Sequence, residues 1–262
     1  MHDMPSGPLH AGVRPLLARL ADGECPPAAA RLDRLALQTG RPHLADGRPV
    51  SFAPCPADRL DYEMRVATTG CVATRDASWH DTFNACVWLL FPRCKAAMNR
   101  RHVVETARTG GAARGRIRDA LTQFDEDGMV VLSDDRQLLD ALRHHRWREA
   151  LWERRTAMAS ASLFVFGHAL LEKALAPHRG LCAKVRYAGG DELGMQAERA
   201  TTRDVDAWLA AQLDAGSWPL APRDLYPLPV LGLPGMTEDN VHAAYFDDAS
   251  QFRPLPAHRV QE

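Results

Sequence analysis

Pro92 interrupts the most hydrophobic stretch of the chain, SWHDTFNACVWLLFPRCKAAMNRRH, residues 78–102. Proline has no N–H to donate and clashes with the carbonyl four residues back, so it ends one helix and suits the first turn of the next. Before it, Phe83, Val87 and Leu90 recur at helical spacing. The pattern predicts two helices, residues 79–91 and 92–106, meeting at a bend. Ser78 with Asp81 forms an S-x-x-D start of the capping-box kind.

The same stretch is rich in polar groups. His80 and Asn84 lie four apart and share a face. Lys95, Asn99 and His102 follow at i, i+4 and i+7, again one face. Their neighbours are Trp79, Phe83, Trp88, Phe91 and Met98, so part of this polar stripe is expected to be buried. An unpaired buried polar group costs on the order of a few kcal/mol, and mutual pairing around a shared cavity is the cheapest remedy. Two outcomes remain open: an internal site that does chemistry, or a hydrogen-bond network that only fixes the angle between the helices.

A chain of 262 residues with 46% hydrophobic and 25% charged residues can bury a substantial core unaided. A formal net charge of -1 gives no global attraction to nucleic acid or to an anionic membrane. None of the six cysteines forms a C-x-x-C pair, which excludes a zinc ribbon and a thioredoxin-like motif. The N-terminus lacks the apolar core of a signal peptide. The longest apolar run, ACVWLLF, falls far short of the ~20 residues that span a membrane. The expectation is a cytoplasmic protein with reduced thiols and no membrane contact.

Residues 1–57 read as an N-terminal helical and loop extension. Its main helix lies in CPPAAARLDRLALQTG, started by Pro26 and Pro27 and closed by Gly40, and residues 41–57 read as loop. Residues 58–262 read as the main domain. DYEMRVATTG predicts a strand, residues 107–115 an arginine-bearing loop, RIRDALTQF a short helix or connector, and DEDG a turn. MVVLS, SLFVF and CAKVRYA predict strands. DDRQLLDALRHHRWREALWERRTAMA predicts one long helix capped by Ser133 or Asp134, and HALLEKALA and TRDVDAWLAAQL predict two more. SWPLAPRDLYPLPVLGLPGM has five prolines in twenty residues, which blocks helix and central strand, yet it is too apolar for disorder. It predicts an extended segment wrapped over the core. The fold class is therefore α+β: a helix-rich single domain with a small mixed sheet and an extended C-terminal wrapping segment.

Several other residues invite a functional reading beside an ordinary one. His168 and Glu172 form an i, i+4 pair at a helix start, suited to metal ligation or proton exchange, or else to plain capping. Lys173 could meet an anion. FDEDG, residues 124–128, lacks the spacing of a calcium loop and reads as an acidic turn, as do Asp247 and Asp248 before Arg253. Residues 93–118 carry eight basic side chains, Arg101 among them, a pattern that could bind phosphate or nucleic acid. There is no G-x-S-x-G elbow, no P-loop and no H-E-x-x-H. Cys86 and Cys94 read as core thiols, and Cys71 is a nucleophile candidate only by elimination.

Five blocks, TRDASWHDTFNACVWLLFPRCKAAMNRRH, RDALTQFDEDG, FGHALLEKALAPHRGL, PLPVLGLPG and YFDDASQFRP, resemble in order the signature blocks of the proteobacterial domain of unknown function 3025 family. The resemblance runs from about residue 58 to 254 and implies one domain, but it carries no activity. The run from His80 through Phe91-Pro92 and Lys95 to His102 is also similar in rhythm to part of some HNH homing endonucleases. Here Asn99 and His102 are separated by two arginines instead of being adjacent.

The expected function is a metal-assisted hydrolase acting on a phosphorylated or nucleic-acid substrate. Its catalytic candidates are His80, Asp81, Asn84, Lys95, Asn99 and His102. A divalent metal would be held by His80, His102, His168 and Glu172, and substrate would be met by Lys95, Arg101, Lys173 and Arg253. The alternative is a non-catalytic module that binds an anion or a partner in the same cleft.

Overall fold

A computed structural model describes residues 5, 7–23, 25–54, 61–109 and 115–255. Cys55 and residues 110–114, within the expected arginine-bearing loop, lie outside the described residues. In chain order the elements are α1 (Arg14–Ala18), α2 (Ala29–Thr39), β1 (Ser51–Ala53), α3 (Tyr62–Thr69), β2 (Cys71–Ala73), α4 (Trp79–Leu90), α5 (Pro92–Arg108) and α6 (Arg116–Asp127). They continue with β3 (Gly128–Leu132), α7 (Arg136–Arg143), α8 (Arg155–Ser160), β4 (Ser162–Val165), α9 (His168–Lys173), β5 (Cys182–Ala188), α10 (Thr202–Asp214) and β6 (Tyr226–Pro229). The main sheet runs β4–β3–β5–β6, with β3–β5 parallel and both outer pairings antiparallel. Strands β1 and β2 form a separate parallel pair. The chain is thus a helix-rich α+β protein with a small mixed sheet. Among the described residues no helix is long and apolar enough to cross a membrane.

Side-chain alternation along β3 builds two cores, one on each face of the sheet. Val130 and Leu132 meet Phe83, Phe91, Leu121 and Phe124 from α4–α6, and Val205 and Leu209 from α10. Met129 and Val131 meet Leu138 and Leu142 of α7, with Phe246 and Phe252 of the C-terminal segment. A third core joins α2, β1, β2 and α3 to Ala85 and Trp88 of α4. Helix α4 therefore serves two cores, and few of its faces reach solvent.

The bend between α4 and α5 forms where Pro92 places it. Phe91 N donates to Val87 O as α4 ends, and Lys95 N donates to Phe91 O as α5 begins. Ser78 caps α4 by accepting from Asp81 N, but the Asp81 carboxylate reaches back to Arg75 N rather than closing a box.

Four expectations are corrected. DYEMRVATTG is the helix α3, with Asp61 as its N-cap and Gly70 as a left-handed C-cap at φ 73. DEDG is no turn: Asp125, Glu126 and Asp127 form the last turn of α6, which runs directly into β3. The long helix after β3 breaks at residues 144–146, where His145 takes φ 55, and its N-cap is Asp135. Residues 41–57 include the strand β1. The proline-rich tail contributes β6 to the sheet edge, the place a proline-containing strand can occupy. The strand before α4 pairs in parallel with β1, so the hairpin of an HNH endonuclease is not formed there.

Candidate functional site

Helices α3, α4, α5, α6 and α9 converge on a polar cavity of about 390 Å³. His80, Asp81 and Asn84 line it from α4, His102 from α5, Asp125 and Glu126 from α6, His168 from α9, and Tyr62 and Glu63 from α3. Lys95 and Asn99 stand behind this lining and bond to it. A close backbone contact sets the approach of α9. A Cβ on Gly167 would meet Gly128 N at 2.4 Å, and both Phe166 N and Gly167 N donate to Gly128 O. Only glycine lets the start of α9 press against the end of α6, which brings His168 beside Asp125 and Glu126.

His80 Nε2 stands 3.0 Å from His168 Nε2, with the two rings nearly perpendicular at 80°. His80 Nδ1 lies 2.9 Å from Glu172 Oε2, and His168 Nδ1 lies 3.8 Å from Asp125 Oδ2. Each imidazole therefore has a carboxylate on its Nδ1 side and its Nε2 turned towards the other ring. Glu126 Oε2 lies 3.8 Å from His168 Nε2, and one ligand atom each from His80, Glu126 and His168 fall within 4.8 Å of one another. Two imidazole nitrogens bound to one tetrahedral ion at ~2.0–2.1 Å stand about 3.3 Å apart, close to the spacing seen. Burial drives the His168 pKa down to about 4, so its imidazole is neutral at neutral pH, the form that ligates. With Glu172 accepting from His80 Nδ1–H, His168 Nε2–H donates to His80 and leaves the buried His168 Nδ1 without a partner. An ion at the two Nε2 atoms would reverse that tautomer and aim Nδ1–H at Asp125. A carboxylate behind each ligating imidazole is the arrangement that orients metal-binding histidines.

The remaining polar groups pair among themselves. Lys95 Nζ donates to Asp125 Oδ1 at 2.6 Å and to Asn84 Oδ1 at 3.0 Å, and Asn84 donates to the Tyr62 hydroxyl. Burial opposes charge on both Lys95 and Asp125, yet their attraction wins: the lysine pKa is raised and the aspartate pKa lowered. Asn99 Nδ2 donates to Glu63 Oε2 at 2.5 Å and to Glu63 O at 2.8 Å, while His102 Nε2 stands 3.9 Å from Glu63 Oε1. Burial, helped by Asp125, raises the Glu63 pKa to about 7. Burial lowers that of His102 to about 4.

The expected site residues separate into three groups. His80 and His168 meet Nε2 to Nε2, with Glu172 behind His80 and Glu126 beside the pair. His102 lines the same cavity but sits with Glu63, outside that ligand group. Asp81 is held by Arg75 through Nε and Nη2. Arg101, Lys173 and Arg253 do not line the cavity. Arg101 is buried and donates to the carbonyls of Trp218 and Gly216, and Lys173 pairs with Asp127 at 2.6 Å. Arg253 is exposed, and its carbonyl accepts from Trp147 Nε1. Tyr62, Glu63 and Arg75 line the cavity without having been singled out, and Arg118 of the basic run 93–118 lines it too. Asp61 and Gly70 bracket the helix of Tyr62 and Glu63, and that pair of caps was the signal for α3.

Helix-rich α+β scaffolding around a polar cavity lined by three histidines and five carboxylates is the class of protein that fold and site define. The chain belongs to the family described as Protein of unknown function (DUF3025), whose model matches residues 49–256. No curated protein and no solved structure matches it.

Proposed function

We propose that this protein is a metal-assisted hydrolase acting on a phosphorylated or nucleic-acid substrate, with a divalent ion held by His80, His168 and Glu126. The observation that carries the reading is the pair of imidazoles, Nε2 facing Nε2 at 3.0 Å, with Glu172 and Asp125 at their Nδ1 sides. Charge supports it. Five carboxylates line the cavity against two arginines, and a divalent cation offsets the excess. Such an ion polarises the bond to be hydrolysed. Arg75 and Arg118, the cations lining the cavity, would take the substrate's anionic group. Cys86, Cys94 and Cys182 carry free thiols, which fits a cytoplasmic setting.

Elemental analysis of the untagged protein tests the proposal. About one divalent ion per chain is expected, with His80→Ala and His168→Ala each weakening it at least tenfold. A protein that takes up no zinc, manganese or magnesium, and does not change its melting temperature with any of them, would sink the reading. One observation favours a second reading, an anion-binding module without catalysis: His80 Nε2 and His168 Nε2 already share a hydrogen bond without an ion. Stabilisation by inorganic phosphate, indifferent to metal and unaccompanied by turnover, would select it.

A further inference from the structure

We infer that Glu63 is the proton acceptor for the attacking water in this cavity, held in place by Asn99. The inference rests on the hydrolase reading above. It comes from asking what each cavity carboxylate is already bonded to. Asp81 is clamped by the Arg75 guanidinium. Asp125 is paired with Lys95 at 2.6 Å. Glu126 stands beside the two facing imidazoles, and Asp61 lies 3.8 Å from Arg118. Among the described residues, Glu63 is the one lining carboxylate whose side-chain hydrogen-bond donor is a neutral amide, Asn99 Nδ2, with His102 Nε2 3.9 Å from its other oxygen. A carboxylate that is neither an ion pair nor a ligand is free to change its protonation.

The groups facing Glu63 explain its poise. Burial and the negative charges of Asp125 and Asp61 favour its protonated form. The Asn99 hydrogen bond and the positive charge of Lys95 favour its carboxylate. The balance lies at about 7, where a general base takes up and returns a proton most readily. His102, driven to about 4 by burial, stays neutral and lends Glu63 no fixed positive charge. In the step itself, Glu63 takes a proton from water and the water oxygen forms a bond to the ester phosphorus. The bond from phosphorus to the leaving oxygen breaks, and that oxygen departs with its electron pair. The proton on Glu63 then passes to the leaving oxygen, so ester and water become acid and alcohol. Asn99 is a positioning residue.

The test uses full-length protein loaded with manganese or zinc, and bis(p-nitrophenyl) phosphate and p-nitrophenyl phosphate as probes. Glu63→Gln should lower turnover at least 100-fold while retaining its metal and its melting profile. Asn99→Ala removes a bond that favours the carboxylate, so the acid limb of the pH–rate profile should move to higher pH. A Glu63→Gln protein within threefold of wild type would overturn this assignment and leave the hydrolase reading standing. Loss of metal from Glu63→Gln would also overturn it, because Glu63 would then be holding the ion. A metal-loaded wild type inert towards both probes would overturn both readings, and a wild type that binds no metal would sink the site itself.

Discussion

His102 shows what burial does to a single side chain in this cavity. Its Nδ1 is buried without a partner, and Arg118 and Lys95 add positive charge nearby. With burial the leading cause, the imidazole pKa falls from 6.5 unfolded to about 4 folded. Between those values the unfolded chain binds a proton that the folded chain refuses. Stability from this group is therefore complete above about pH 6.5 and is lost as pH falls towards about 4. Glu63 runs the other way. Its pKa rises from 4.5 to about 7, so its contribution is complete at low pH and is lost as pH rises through that window. The two effects separate by substitution. His102→Gln should blunt the loss of stability between pH 7.5 and 5 by about 2 kcal/mol, read from urea denaturation at both values. An unchanged difference would mean that the folded protein accepts a proton on His102.

At the scale of elements, the join between α4 and α5 accounts for every backbone donor at its start. Pro92 has none, Arg93 N and Cys94 N donate to the Asp206 carboxylate of α10, and Lys95 N reaches Phe91 O. Asp206 is 3% exposed, so its removal strands the buried Cys94 N and takes the partner from Arg93 N. Asp206→Ala should cost about 2–4 kcal/mol, and Asp206→Asn distinctly less because one acceptor remains. A melting temperature unchanged in Asp206→Ala would show that water reaches those amides. The bend itself was legible from Pro92 because proline acts through its own ring. The cap was not, because it comes from residue 206, and nothing near residue 92 announces it. Helix α3 was misread for a related reason. Tyr62, Val66, Thr68 and Thr69 have the composition of a strand, but the caps at Asp61 and Gly70, and packing against α5, decide otherwise. The break after α7 falls where RHHR offers no apolar residue to bury, and the chain turns at His145 to deliver Trp147 to the second core. The polar faces of α4 and α5 could be read from spacing alone. Glu126 could not, since its place beside His168 depends on the Gly128–Gly167 contact.

Across the whole molecule, a short N-terminal strap ties the three cores together. Leu9 enters the core on the far face of the sheet, Val13 and Leu17 the core beneath α4, and Leu20 the third. His10 Nε2–H donates to Leu171 O at 2.9 Å, which fixes the strap to α9, the helix that carries His168 and Glu172. The strap lies outside the family match, which begins at residue 49, yet it contributes to the same packing. Full burial of each such side chain stabilises by roughly 1.5–3 kcal/mol, so four together rival the ~5–15 kcal/mol that separates folded from unfolded domains. Deleting residues 1–22 should therefore abolish the cooperative thermal transition and the near-ultraviolet circular dichroism. Leu17→Ala, a smaller lesion at one core, should cost about 2–5 kcal/mol and leave the transition cooperative. A truncated chain that melts cooperatively within a few degrees of the full-length protein would show that the cores stand without the strap. Its contacts with α9 would then be incidental to how the site is held.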